Sequence, residues 1–398
     1  MNIETFFSNN AIYGVPGINQ GPLIAFSLKQ KTDDSAYALN AKNIFFLFDN
    51  SASMYYTLPV VKSSILTFRD LLCQRTSMFQ PPVSKEVFDK YMCNFNLYTF
   101  SEKVRHVWGP TTKGNFDDIV NCIEPEGCTN MGEAIETAFK NCDTNKANWI
   151  IVFTDGESNK GRHQTSSAFH ELAKTIPNNT KLLTLGYGKD FNIEILNSIG
   201  EFTFLENKES IPTFMGALTH EISTCSVFNA KITGSPLLFG EMPLTSFSSD
   251  KIYHIGFSSG QIFDITYTLI TENGIQHKKE RFDFSNKTPE NGDVPENIKK
   301  SFYSFESSKM IKNLLLQKDA VDVENTKYNK ILEKWTENCA IEFKESVLRF
   351  AKVLIQNKAA AVCLSNSLAR QTSYVNDIFA SPAALSLVQS ARDINETY

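Results

Sequence analysis

Residues 43–53 read NIFFLFDNSAS, and the stretch changes chemistry halfway along. Asn43–Phe48 is a continuous apolar run, the pattern of a strand buried on both faces of a parallel sheet. Asp49 ends it, and the chain turns through Ser51 and Ser53 as D-x-S-x-S. A second run of the same kind, NWIIVF at 148–153, stops at Thr154-Asp155-Gly156-Glu157. Between the two runs, Leu58, Val61, Ile65, Phe68 and Leu72 recur at helical spacing, and Pro59 sits near the start, where a missing N–H does least harm. Asn94–Phe100 reads as a strand with Lys103–Trp108 as its hairpin partner, and 116–123 and 132–141 read as helices. Farther on come helix 166–175, strand 181–187, helix 192–199, strand 201–205 and helix 211–223. Alternation across 43–223 predicts an α/β fold, a Rossmann-like, doubly wound, mainly parallel sheet.

The flanks read differently. In the N-terminal segment, 1–38, the stretch Pro22–Lys29 predicts a strand. Beyond Cys225 helical periodicity fades; Phe263, Ile265, Tyr267 and Leu269 alternate with polar residues, and Asn273-Gly274 marks a hairpin. Residues 226–292 therefore predict a small antiparallel β module, set after an α/β domain at 39–225. The last part, 293–398, predicts a C-terminal helical region: no Gly or Pro occurs from 296 to 381, and Tyr328, Ile331, Leu332, Trp335 and Cys339 form one apolar stripe.

Composition narrows the function. The 398 residues are 42% hydrophobic and 21% charged, which supports a sizeable core. A formal net charge of -5 argues against a nucleic-acid binder, which needs a basic field. None of the 8 cysteines falls in a C-x-x-C pair, so they read as reduced thiols rather than a disulfide frame or a zinc cluster. Met1–Asn10 lacks the basic start and apolar core of a signal peptide, and no run is long enough to insert in a membrane; the expectation is a cytoplasmic protein.

Three short pieces carry the chemistry: Asp49-Asn50-Ser51-Ala52-Ser53, Gly127-Cys128-Thr129-Asn130-Met131-Gly132 and Thr154-Asp155-Gly156-Glu157. In an open parallel sheet, loops leaving the C-terminal ends of strands meet in one crevice. Hydroxyl and carboxylate oxygens suit a hard cation that demands octahedral order, Mg²⁺ or Mn²⁺. The candidate metal ligands are Asp49, Ser51, Ser53, Thr129 and Asp155. Alone, each piece is ordinary: Ser51 or Ser53 could cap the helix that follows, Thr129 likewise, and Asp155-Gly156 could be a turn. Their order, and the buried strands ahead of two of them, favour the metal site.

FFLFDNSASM, GCTNMGEAI and IIVFTDGES resemble the three signatures of the metal-ion-dependent adhesion site of the von Willebrand factor type A (VWA) family. The resemblance implies direct ligation by Ser51, Ser53 and Thr129, with Asp49 and Asp155 acting partly through water. Ala52 and Cys128 depart from the family's usual glycines without removing a ligand. The β and helical parts, including ARQTSYVNDIFASPAALSLVQSAR at 369–392, resemble the module of VWA proteins that carry a Hint or RING domain; there the strand near Pro22–Lys29 would join the later β section. Neither RING spacing nor a Hint signature occurs here.

The reading is of a non-enzymatic scaffold that binds a partner protein, the partner's acidic residue completing the cation's coordination. A recruiting subunit of a ubiquitin ligase-like assembly is the alternative, and a metal-dependent hydrolase with Asp49 and Asp155 as an acid–base pair is the third reading. The histidines, including His163 near the third piece, pair with no recognisable nucleophile.

Overall fold

A computed structural model of the chain describes residues 2–8, 23–29, 41–78, 94–155, 158–187, 192–205, 210–234, 244–248, 252–258, 260–271 and 273–289. In chain order the strands are β1 (Asn2–Ser8), β2 (Leu23–Lys29), β3 (Lys42–Asp49), β4 (Phe95–Phe100), β5 (Val104–Trp108), β6 (Ala147–Thr154), β7 (Thr180–Tyr187), β8 (Glu201–Leu205), β9 (Cys225–Thr233), β10 (Leu244–Ser248), β11 (Ile252–Ser258), β12 (Ile262–Thr271) and β13 (Gly274–Asp283). The helices are α1 (Leu58–Met78), α2 (Phe116–Asn121), α3 (Met131–Asn141), α4 (Ser166–Ala173), α5 (Ile193–Ile199) and α6 (Ser210–Thr224).

The apolar runs at 43–48 and 148–153 become neighbours. They lie side by side and parallel at the centre of a six-stranded sheet ordered β5-β4-β3-β6-β7-β8, with Phe48 opposite Phe153. β4, β7 and β8 continue the parallel pairing and only the edge strand β5 runs antiparallel. Every residue of β3 and β6 is buried, as expected of strands covered on both faces. From β3 the chain moves outward to β4 and β5, then returns to lay β6 on the other side of β3. That reversal opens a crevice at the C-terminal ends of β3 and β6, where helices leave to opposite faces.

Helices α1, α2 and α6 pack on one face, where Phe46, Phe48, Phe68, Trp149, Leu218 and Phe228 belong to one core. Phe46 and Phe68 have ring centroids 6.1 Å apart, and Phe228 meets the edge of Trp149 at 4.5 Å. Two lysines are buried with their charges satisfied. Lys42 is fully buried at the start of β3 and its Nζ donates to the Ile222 and Ser223 carbonyls at 2.6 and 3.3 Å, a cation on the last turn of α6. Lys181 on β7 lies between Glu201 of β8, at 3.3 Å, and Glu221 of α6.

The chain divides into two compact units. One holds the described residues within Thr32–Phe228 and Thr268–Gln276; the other holds those within Met1–Lys31, Asn229–Tyr267 and His277–Ser373. In the second unit, β1, β2 and β11 form an antiparallel sheet with β2 in the middle. A four-stranded sheet is ordered β10-β9-β12-β13, and Phe263 on β12 stacks on Phe282 at 5.0 Å. The Asn273-Gly274 hairpin forms, with Gly274 at φ 117°, and the side chains of Ile270 and Ile275 near it join the core of the first unit rather than the second. Among the described residues, no helix is long and apolar enough to cross a membrane. The C-terminal stretch expected to be helical, and the 369–392 segment, lie outside the described residues.

Lys181→Met is expected to remove the cation held between two buried carboxylates and to destabilise the fold in a denaturant melt, by at most about 3–5 kcal/mol. Adding Glu201→Gln and Glu221→Gln to it should recover much of that loss.

Candidate metal centre

Asp49 is the last residue of β3, with no exposed surface. It sits in register with Phe100 of β4, and Thr154 at the end of β6 reaches it from the other side. The Thr154 hydroxyl donates to Asp49 Oδ2 at 2.5 Å, and the Ser51 amide donates to Oδ1 at 2.8 Å. The second bond is an Asx turn, the local device by which an aspartate folds the chain back after a strand. It directs Ser51 and Ser53 over the end of the sheet.

A short 3₁₀ helix, Ala52–Tyr56, carries the serines into α1. Ser51 occupies its N-cap position yet makes no capping bond with its side chain. Its Oγ lies 2.9 Å from Ser53 Oγ, and Ser53 Oγ donates to Asp155 Oδ1, again at 2.9 Å. These hydroxyls point at one another and at a carboxylate 102 residues away in sequence, an orientation that the capping alternative does not explain.

The middle loop is tied to its neighbours through the backbone. The Ala52 amide donates to the Gly127 carbonyl at 3.1 Å and the Glu126 amide to the Asn50 carbonyl at 2.7 Å. On its other side, the Thr129 amide donates to Asn159 Oδ1 at 2.9 Å, while its carbonyl accepts from Asn159 and Lys160 amides at 3.0 Å each. Thr129 is buried in a loop clasped between the serine loop and the loop after Asp155. Gly127 adopts φ 61°, a left-handed turn that a side chain there would strain. Direct side-chain bonds thus join Ser51, Ser53 and Asp155, backbone and side-chain bonds bring in Asp49, and Thr129 joins through its main chain.

Three contributors escaped sequence reading. Thr154 orients Asp49; Asn159 fastens the Thr129 loop; and Ser101, at the end of β4, accepts the Asn130 amide at 2.9 Å through its carbonyl and donates to Glu126 at 3.0 Å through its hydroxyl. Thr154 was visible as the last residue of an apolar strand, whereas nothing local marks Asn159 or Ser101. His163 lies in the third loop, but its Nε2 stands 2.9 Å from Glu136 Oε1 and its ring lies over Gly132.

The electrostatics describe a site that is costly when empty of positive charge. Burial pushes the Asp49 carboxyl up to about 6, against the bonds from Thr154 and Ser51 that lower it, and the nearby Asp155 adds to the rise. Among the described residues, no three His, Cys, Asp or Glu side chains gather as a metal cluster. The donors here are mainly hydroxyls, a set suited to a small hard cation. Cation–oxygen bonds of about 2.0–2.1 Å in octahedral order set adjacent oxygens about 2.9 Å apart. Both oxygen separations, Ser51 to Ser53 and Ser53 to Asp155, are 2.9 Å. That spacing is also the length of an ordinary hydrogen bond.

Residues 43–215 match the family model of the von Willebrand factor type A domain. Those residues have the VWA domain fold. The von Willebrand factor type A protein from Catenulispora acidiphila has a similar fold, with a TM-score of 0.59 at 15% identity over 89% of this chain and 88% of that chain. The ArnB paralog VWA2 from Sulfolobus acidocaldarius gives 0.58 at 14% identity, over 93% of this chain and 98% of that chain. At such identities the likeness is one of fold. No curated protein matches the chain. VWA domains commonly mediate protein interactions, and the crevice described above lies within the matched residues.

A carboxyl raised to about 6 from 3.8 favours the proton in the folded state. Its stabilising contribution to the metal-free protein is complete below 3.8 and is lost as pH rises through about 6, a change on the order of 3 kcal/mol. Thermal melts in EDTA should therefore show this part of the stability falling between pH 4 and 7, and Asp49→Asn should flatten that slope.

Proposed function

We propose that this chain is a non-enzymatic, metal-dependent protein-binding scaffold. A divalent cation, Mg²⁺ or Mn²⁺, is held by Asp49, Ser51, Ser53, Thr129 and Asp155. The ion's remaining position takes a carboxylate from a partner protein. The observation that carries the reading is the run of oxygens at the β3/β6 crevice: Asp49 bonded to the Ser51 amide, Ser51 to Ser53, and Ser53 to Asp155 across 102 residues of sequence. Hydroxyl and carboxylate oxygens are the donor types that a small hard cation such as Mg²⁺ takes.

The chemistry expected of the ion is Lewis acidity toward oxygen. With neutral hydroxyls as its direct protein ligands and the two carboxylates acting partly through water, the ion would keep Lewis acidity toward a further carboxylate although the formal charge of the site is balanced. The protein's own residues prepare the site. Thr154 and the Ser51 amide fix Asp49, and Asn159 holds the Thr129 loop. The free thiols Cys122, Cys128, Cys142 and Cys225 suit a reducing compartment, so the reading places the protein in the cytoplasm.

Ser51→Ala with Ser53→Ala removes two donors at little steric cost. The double variant should fold, with an unchanged circular dichroism spectrum, and its Mn²⁺ affinity by titration calorimetry should fall by at least tenfold. Wild-type affinity in that variant would remove the serines from the centre. Partner capture that is equal in Mg²⁺ and in EDTA would remove the ion from recognition.

A further inference from the structure

Thr129 is buried, but the loop that clasps it is not. The Thr129 amide donates to Asn159 Oδ1 and its carbonyl accepts from the Asn159 and Lys160 amides. Both main-chain groups thus rest on a stretch, 159–162, whose residues are all exposed. Such a stretch opens easily unless its ends are fixed. Ser158 and His163 fix this one. Ser158 is buried and its hydroxyl donates to the His163 carbonyl at 2.8 Å, which closes the loop on itself. The His163 side chain is 14% exposed, and its ring lies against the Phe169 ring at 5.9 Å. A Cβ at position 132 would stand 2.5 Å from the His163 Cβ, so the close seat of the loop on α3 depends on Gly132.

The link from this ring to α3 is a single hydrogen bond. His163 Nε2 stands 2.9 Å from Oε1 of Glu136, on the second turn of the helix that begins at Met131. Burial raises the Glu136 carboxyl, but the bonds from Arg162 and His163 outweigh it and hold the group below the ordinary glutamate range, an anion at neutral pH. Arg162, 72% exposed, reaches the same carboxylate from the solvent side, and its Nε lies 3.0 Å from His163 Nε2. One ring nitrogen cannot accept from Arg162 and donate to Glu136 at once, and the carboxylate is the stronger partner for its proton. Nδ1 is buried with no hydrogen-bond partner among the described residues. A phenyl ring would fill the same space without that cost, so what the histidine adds is Nε2.

We propose that Glu136 and His163 are positioning residues for the metal centre: their hydrogen bond latches residues 158–163 to α3 and so fixes the main chain of Thr129. The proposal rests on the metal-dependent reading for what Thr129 does, and on the loop geometry for what holds it. The latch closes a circuit. Thr129 leads into α3, α3 carries Glu136, Glu136 holds His163, and the loop that ends in His163 returns to Thr129. Opening the bond frees one end of the loop, and the Thr129 hydroxyl loses the fixed backbone that presents it.

The test follows amide hydrogen exchange of the full chain in EDTA, then Mn²⁺ affinity by titration calorimetry, in Glu136→Ala, Glu136→Gln, His163→Phe and Arg162→Ala. His163→Phe keeps the ring and removes the bond. In it and in Glu136→Ala, the Thr129, Asn159 and Lys160 amides should exchange about tenfold faster while β3 and β6 are unchanged, because a bond to a charged group is lost. Mn²⁺ affinity should fall severalfold in the same two variants. Glu136→Gln keeps an acceptor for Nε2 and should restore both readings to near wild type, and Arg162→Ala should leave both unchanged. Wild-type exchange at those amides in Glu136→Ala and His163→Phe overturns the latch. Faster exchange in β3 and β6 as well makes the pair a source of general stability and overturns the positioning role. Faster exchange at the loop amides with wild-type Mn²⁺ affinity separates the latch from the ion, overturning the proposal and leaving the metal reading standing. A wild type that binds no Mn²⁺ overturns the metal reading and the positioning role with it, whatever the exchange shows.

Discussion

A carboxylate without exposed surface, at the end of a fully buried strand, is the constraint on which this structure turns. Asp49 is taken out of water by the strands beside β3, and hydrogen bonds from the Thr154 hydroxyl and from the Ser51 amide and hydroxyl compensate it in part. Burial still prevails, since its carboxyl is pushed up to about 6. A fold that maximised stability alone would place an apolar or amide side chain here. Retaining the acid makes sense where positive charge arrives from outside.

The rest of the sheet serves that position. Strand order reverses between β3 and β6, the place where an open parallel sheet forms a crevice at its strand ends. Strand backbones fix the two ends of the donor set, at Asp49 and Asp155, while the Thr129 loop between them is held by main-chain bonds on both sides. Hydrogen bonds on both sides thus hold these side chains in place. The buried triad of Lys181, Glu201 and Glu221 and the lysine cap on α6 stand apart from the donor set.

Much of the first unit was legible because its signals are local. Continuous apolar runs at 43–48 and 148–153 mark strands buried on both faces, and the 3.6-residue recurrence from Leu58 to Leu72 marks α1. The hairpin at Asn273-Gly274 follows from turn chemistry. Other features lacked a local signal. β1 is an unremarkable polar and aromatic stretch whose strand form depends on pairing with β2, and β9 begins at Cys225, immediately after α6, with no turn residue to announce it.

For the centre itself, the sequence by itself determined the kind of chemistry: which residues carry oxygen, and that two of them follow buried strands. Side-chain identity fixes ligand hardness before any folding takes place. What only the tertiary structure decided is which of those oxygens meet. Ser53 could have capped a helix, and its approach to Asp155 depends on β3 and β6 lying parallel and adjacent, a pairing between segments about a hundred residues apart. Asn159 and Ser101 became supports for the same reason: their role comes from hydrogen bonds to distant backbone, and such bonds leave no periodicity or motif in the chain that makes them.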